Sequence, residues 1–201
     1  LDRASVDDAI VKRGAELSAA GRRPYLVPRG GATPLGAAGY LAAGLELADQ
    51  LTSLGVQPKQ LWLATGSCGT QAGLLAGAQA VRAEYQVVGV SVSRPVEECV
   101  ARIVGLRDGV TTLLGIPADA PADVTVLGGY LGAGYGQPSP QGEDAARLVA
   151  QAEGVFLDPV FGAKAMACLL DAAAAGQVPG PVVFLVSGGA PTLFAGLQGS
   201  M

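Results

Sequence analysis

Thr65-Gly66-Ser67-Cys68-Gly69-Thr70 is the stretch of this sequence best equipped to hold a ligand. Glycines in such a turn let successive backbone N–H groups face inward as an anion-binding nest. The stretch follows an apolar run at residues 60–64 and precedes an alanine- and glycine-rich run at 71–82. A strand leading into a helix is the natural reading, and the helix N-terminus adds about half a positive charge. Ser67 and Thr70 add hydroxyl donors, so uncharged groups alone can hold a phosphate here. The spacing matches neither G-x-G-x-x-G nor G-x-x-x-x-G-K-[ST], and no lysine follows Gly69, which disfavours a nucleotide triphosphate. The competing reading is an ordinary strand-to-helix turn. For Cys68, a small packing residue is the better reading than a thiolate activated by the helix end.

The composition removes whole classes of chemistry. None of the 201 residues is histidine, so Ser-His-Asp and Cys-His catalysis, histidine-ligated zinc and histidine general bases are excluded. The formal net charge is -4 with no basic run, which argues against a nucleic-acid partner. Cys68, Cys99 and Cys168 are too few and too scattered for a disulfide framework or a metal site, and they fit a reducing cytoplasm. No apolar run approaches a membrane span, and no signal peptide is recognisable. Half the residues are hydrophobic and 15% are charged, the balance of a chain that folds. Its length suits about one domain, or one and a piece of another.

The elements that position the turn follow from periodicity. Residues 2–20 read as a helix with Val6, Ile10 and Leu17 on an intermittent apolar stripe, stopped by Gly21. Residues 23–28 read as a short strand and 29–32 as a glycine loop. Thr33 caps a helix that Pro34 opens, with Leu41, Leu45, Ala48 and Leu51 on its buried face and Gly55 past its end. Strands follow at 60–64, 86–91, 123–127 and 182–186, and helices at 71–82, 95–106, 139–151 and 162–174. Continuous apolar strands alternating with helices imply an α/β fold: a doubly wound, mostly parallel open sheet with helices on both faces. Ligands bind beyond the carboxyl ends of such strands. Glycine turns follow the strands that end at Ala64, Leu127 and Val186, so three of them converge on that edge.

Several segments, in order, resemble the pyridoxal-phosphate-dependent family of D-cysteine desulfhydrases and 1-aminocyclopropane-1-carboxylate deaminases, within the tryptophan-synthase-β-like, fold-type-II enzymes. They are Pro28-Arg29-Gly30-Gly31, Leu35-Gly36 and Gly39-Tyr40, then the 65–70 turn with Gln71-Ala72-Gly73. Ser91-Val92-Ser93-Arg94, Gly134-Tyr135-Gly136-Gln137-Pro138, Leu157-Asp158-Pro159-Val160, Lys164-Ala165-Met166 and Gly188-Gly189-Ala190-Pro191 continue the likeness. The resemblance implies pyridoxal 5'-phosphate as cofactor, with its phosphate on the 66–70 loop (Gly66, Ser67, Cys68, Gly69 and Thr70), with Thr65 also binding the cofactor, and with Ser187 and Gly188 near the pyridine ring or the substrate. It implies that Tyr135 meets the substrate and that Phe161 lies against ring or substrate. It also implies a small amino-acid substrate, a homodimer and a cytoplasmic enzyme.

Deaminases of this family carry Tyr-Glu after Asp-Pro-Val and a leucine before Gly-Gly-Ala-Pro, where this sequence has Phe161, Gly162 and Ser187. Desulfhydrases carry small hydroxyl residues at the latter two of these three positions. The resemblance therefore favours a lyase that eliminates the β-substituent of a small amino acid, most like D-cysteine desulfhydrase, which yields pyruvate, sulfide and ammonia. Phe161 departs from both branches, which leaves an L-cysteate sulfo-lyase or a deaminase relative open. A non-catalytic phosphate- or nucleotide-binding module, and a fragment without any ligand, also remain open.

A pyridoxal enzyme needs a lysine to carry its cofactor, and the sequence holds only Lys12, Lys59 and Lys164. The family uses none of these positions and places that lysine upstream. The first residue is Leu1, so the expectation is the carboxyl-terminal two thirds of such an enzyme. Residues 1–28 would then end the smaller domain, and 29–201 would be most of the cofactor-binding domain. On this reading the chain alone is inactive.

Overall fold

A computed structural model describes residues 3–117 and 123–193. Residues 118–122 and 194–201 of the expected larger domain, and the first two residues of the expected smaller one, lie outside that range. Four strands, β1 (Gln60–Thr65), β2 (Gln86–Ser91), β3 (Thr125–Leu127) and β4 (Val182–Leu185), form one parallel sheet in the order β3-β2-β1-β4. Chain order runs outward from β1 through β2 to β3, and β4 then returns to the other side of β1. This reversal makes the β1/β4 boundary the switch point, where loops diverge and leave a crevice.

Alternation along the strands assigns the two faces. Leu61, Leu63 and Val87 point into a core closed by α3 (Gly69–Ala80) and α4 (Val96–Leu114) through Leu74, Leu75, Cys99 and Ile103. Trp62, Val88 and Val90 face the other way, onto Ala165, Cys168 and Leu169 of α6 (Gly162–Ala174), against which α5 (Pro140–Glu153) packs. A second layer on the first face is α2 (Pro34–Leu54), packed on α3 through Ala37, Leu41 and Ala76. The expected doubly wound sheet, covered on both faces, is the fold observed.

The helix ends were legible. Thr33 accepts from the Gly36 amide with Pro34 in the first turn, Ser139 does the same for Gly142, and Gly55, Gly115 and Gly154 close α2, α4 and α5 in the left-handed region. Several details differ from the sequence reading, among them the start of α3 at Gly69 rather than residue 71. Residues 23–28 are extended but join no sheet among the described residues; Pro24 and Pro28 lack the N–H that a ladder needs, and Tyr25, Leu26 and Val27 are exposed. α4 runs on to Leu114 rather than stopping near residue 106, because Gly105 and Gly109 are tolerated inside it and Gly115 supplies the stop. β3 begins at Thr125 and β4 ends at Leu185. On α2, Leu45 is exposed, and Ala37, Leu41, Gly44 and Leu51 make the buried face.

α1 (Arg3–Ala19) stands apart from the sheet. Its Gly14 lies against Leu26, and its Asp7 receives two hydrogen bonds from Arg29, at 2.8 and 2.7 Å. Arg29 opens the 3-10 turn Arg29–Gly31, which leads into α2.

Candidate functional site

The 65–70 turn leaves the carboxyl end of β1 at the switch point, as its residue types require. Cys68 takes φ +78°, a left-handed conformation that bends the chain into α3, and no side chain caps the helix. Among the described residues, no protein acceptor receives the amides of Ser67, Cys68, Gly69, Thr70 or Gln71; the first amide of the helix to bond is Ala72, to the Cys68 carbonyl at 3.0 Å. Five consecutive donors at a helix N-terminus are thus left for an anion. The neighbours of the turn are small and packed close to it. A Cβ on Gly30 would meet the Ser67 side chain at 2.6 Å, and one on Gly69 would touch Ala32 at 3.5 Å.

The loop after β2 holds this turn from behind. Ser93 Oγ and Arg94 Nε both donate to the Gly66 carbonyl, at 3.0 and 3.1 Å, and Ser91 Oγ donates to the Arg94 carbonyl at 2.5 Å. Arg94 also pairs with Glu98. Both donors hold the Gly66 carbonyl from the side of the β2 loop, and the guanidinium charge is balanced by Glu98. Cys68 is buried beside Cys99, and this shared hydrogen bond, then burial, pushes its thiol well above the usual range. That is the behaviour of a packing residue rather than of a nucleophile.

The remaining expected residues arrive from three other loops. Tyr135, in the glycine loop after β3, meets Phe161 edge-on with ring centroids 6.1 Å apart at 61°. Phe161 sits at the start of α6, where buried Asp158 accepts from the amides of Val160, Phe161 and Gly162 at 3.0, 2.7 and 2.7 Å. Ser187 and Gly188 follow β4, and a Cβ on the next residue, Gly189, would strike Asp158 Cγ at 2.5 Å. β4 pairs with β1, with Leu185 beside Leu63, so Ser187 leaves the sheet alongside Thr65. Arg29 closes the ring: it lies within electrostatic reach of Tyr135, and Gly30 next to it backs Ser67. The structure thus gathers the residues marked from sequence around one edge of the sheet.

Four contributors had no marked role in the sequence. Arg94 and Asp158 stood inside quoted segments but carried no geometry. Gln71 is fully buried; it accepts from Thr65 Oγ1 at 2.6 Å and donates to the Thr125 carbonyl at 2.8 Å, bracing the cradle against β3. Lys164 is fully buried with Nζ on the Leu131 and Gly134 carbonyls, at 2.7 and 3.2 Å. Burial pushes its ammonium below the usual lysine range, with Asp158 pulling the other way. Such a polar residue three positions into an apolar helix was the available signal for it. Lys12 and Lys59 are exposed, Lys12 on α1 and Lys59 just before β1, at the opposite end of that strand from the cradle.

The comparisons agree with this geometry. Residues 3–188 match the family model "Pyridoxal-phosphate dependent enzyme", and the chain belongs to that family. Within it, the chain is 40% identical over 181 residues to a D-cysteine desulfhydrase of Klebsiella pneumoniae (strain 342), covering 89% of this chain and 54% of that protein. It is 42% identical over 181 residues to a D-cysteine desulfhydrase of Serratia proteamaculans (strain 568), with the same 89% and 54% coverage. Among solved structures, a crystal structure of an ACC deaminase homologue superposes with a TM-score of 0.81 at 32% identity, covering 89% of this chain and 53% of that one. The chain spans about half the length of the curated relatives it matches. The fold-type-II expectation and the pyridoxal phosphate expectation both stand on these findings.

The residues present fit the cofactor. Five unpaired amides and a positive helix end suit a phosphate dianion, and the residues packed beside them, Gly30 and Ala32, are small.

Proposed function

We propose that the protein to which this chain belongs is a pyridoxal-phosphate-dependent lyase. It removes the α-proton and the β-substituent of a small amino acid, most like D-cysteine desulfhydrase acting on D-cysteine to give pyruvate, sulfide and ammonia. When bound, the cofactor supplies an electron sink for the negative charge that develops at the α-carbon. The observation that carries the reading is the run of five amides without a protein acceptor at residues 67–71.

Each residue then has a task. The amides of 67–71 and the α3 N-terminus hold the phosphate, and Arg94 fixes the Gly66 carbonyl away from it. Ser187, at the end of the strand beside β1, would lie by the ring and Gly188 would let the chain turn past it, while Thr65 supports the cradle through the buried bond of its hydroxyl to Gln71. A hydroxyl at 187, unlike a carboxylate, does not hold the pyridine nitrogen protonated. The Tyr135 phenol orients the substrate carboxylate or hands on a proton, and Phe161 presents a ring face that excludes water. Gly162 sets this reading apart from deamination, because it leaves no carboxylate where the family's deaminases carry a glutamate.

Residues 1–28 are the end of a smaller domain and 29–201 most of the cofactor-binding domain, a division that the separation of α1 from the sheet supports. The intact enzyme is a cytoplasmic homodimer. Three free buried cysteines favour a reducing compartment, and no helix among the described residues is long and apolar enough to cross a membrane. The test is product analysis with the full natural reading frame. D-cysteine is expected to release sulfide, while L-cysteate and 1-aminocyclopropane-1-carboxylate release little sulfite or ammonia. Preferential turnover of either of the latter would replace the D-cysteine reading.

A further inference from the structure

Lys164 is among the largest fully buried side chains of the described residues, and it has no carboxylate within ion-pairing distance there. A buried ammonium without a counter-ion is destabilising unless each N–H finds an acceptor, and an apolar side chain would pack the same space without that penalty. Its acceptors are two carbonyls of one loop, Leu131 and Gly134.

That loop, residues 128–137, is rich in glycine. Gly129, Gly132, Gly134 and Gly136 all take positive φ, and among the described residues its backbone closes one hydrogen bond of its own, Gln137 N–H to the Gly134 carbonyl at 3.4 Å. It is also attached through the Tyr130 hydroxyl, which donates to Asp171 at 2.7 Å, the Tyr130 ring on the core around Trp62, Gly128 against Val96 and Gly132 against Ser139. Tyr135 follows directly on one clamped carbonyl and reaches Phe161, three residues before Lys164. The start of α6 therefore holds both rings, Phe161 directly and Tyr135 through the lysine.

We propose that Lys164 is a positioning residue: its ammonium clamps the Leu131 and Gly134 carbonyls and so sets Tyr135 against Phe161. The consequence for catalysis rests on the function proposed above; the clamp itself does not.

The test replaces Lys164 by methionine, which keeps the bulk and removes the donors. In K164M, amides of residues 131–137 exchange about tenfold faster with deuterium, while those of β1 and α6 hold their rates. The fluorine resonance of 3-fluorotyrosine at position 135, identified by Tyr135→Phe, moves toward that of the free amino acid. A folded K164M with loop exchange and resonance both unchanged overturns the proposal. Should K164M fail to fold, Lys164→Ala is titrated with ethylammonium and, separately, with ethanol. Recovery of far-UV dichroism and of the Tyr135 resonance by the cation alone supports the clamp; recovery by both, or by neither, contradicts it. None of these readouts needs cofactor. Inorganic phosphate shifting the 67–71 amides equally in wild type and K164M would leave the proposed function intact even if the clamp failed.

Discussion

Gln71 and Gly89 form a pair that neither residue announces alone. The Gln71 amide bridges Thr65 and Thr125 inside the sheet-helix interface, and a Cβ on Gly89 of β2 would sit 1.9 Å from its Oε1. The glycine in a buried strand is there because a polar brace occupies the space of its side chain. Gly89→Ala is therefore expected to destabilise the fold by about 2–4 kcal/mol, read as a lower urea midpoint at unchanged slope. A change within about 0.5 kcal/mol would show that the brace yields freely. Lys164 gives a residue-scale pH signature. Its folded pKa lies below the unfolded one, so between the two values the unfolded chain binds more protons and stability rises with pH. In urea titrations, the stability of wild type minus that of K164M should increase as pH climbs through that window toward about 10.5, the ordinary lysine value. A flat difference would mean that Lys164 is not held as a buried cation.

At the scale of elements, glycines divide into those that packing demands and those it does not. α2 and α3 cross so closely that a Cβ on Gly73 would lie 2.2 Å from the Ala37 carbonyl oxygen. Gly39 on α2 and Gly105 on α4 face open space. Gly73→Ala should cost about 2 kcal/mol or more, whereas Gly39→Ala and Gly105→Ala should each add about 0.5–1 kcal/mol by thermal or urea unfolding. Equal effects at the three positions would contradict the observed crossing. The same contrast explains what was readable from sequence. Caps and strands were legible because Thr33-Pro34, Ser139-Pro140 and the apolar runs of β1 and β2 carry local rules. The segment at 23–28 has strand-like residues, yet pairing is a tertiary fact that no local pattern supplies. Leu45 looked buried because a stripe gives a face but not its width. The cradle could be found because glycine turns at strand ends act locally. Lys164 and Arg94 could not, since each works through backbone carbonyls of a loop remote in sequence, whereas Asp158 caps the amides of residues 160–162 and was locally readable.

For the whole molecule, the parallel order β3-β2-β1-β4 is what turns separate loops into one site, because every strand delivers its carboxyl end to the same edge. Family membership fits this arrangement; of the three lysines two are exposed and the third is buried on the Leu131 and Gly134 carbonyls, and we propose that none of them carries the cofactor. Borohydride reduction of this chain with pyridoxal 5'-phosphate should leave Lys12, Lys59 and Lys164 without specific label by peptide mass spectrometry. Stoichiometric labelling of any one, accompanied by turnover, would refute this.

The central claim is that the amides of residues 67–71 hold the cofactor phosphate. It is tested most directly by following those amides in nitrogen–proton correlation spectra during titration with pyridoxal 5'-phosphate, with phosphate-free pyridoxal as the control. The account predicts saturable shifts at residues 67–71 with the phosphorylated compound, reversed by inorganic phosphate and missing with pyridoxal. Shifts confined to other residues, or equal shifts with pyridoxal, would contradict it.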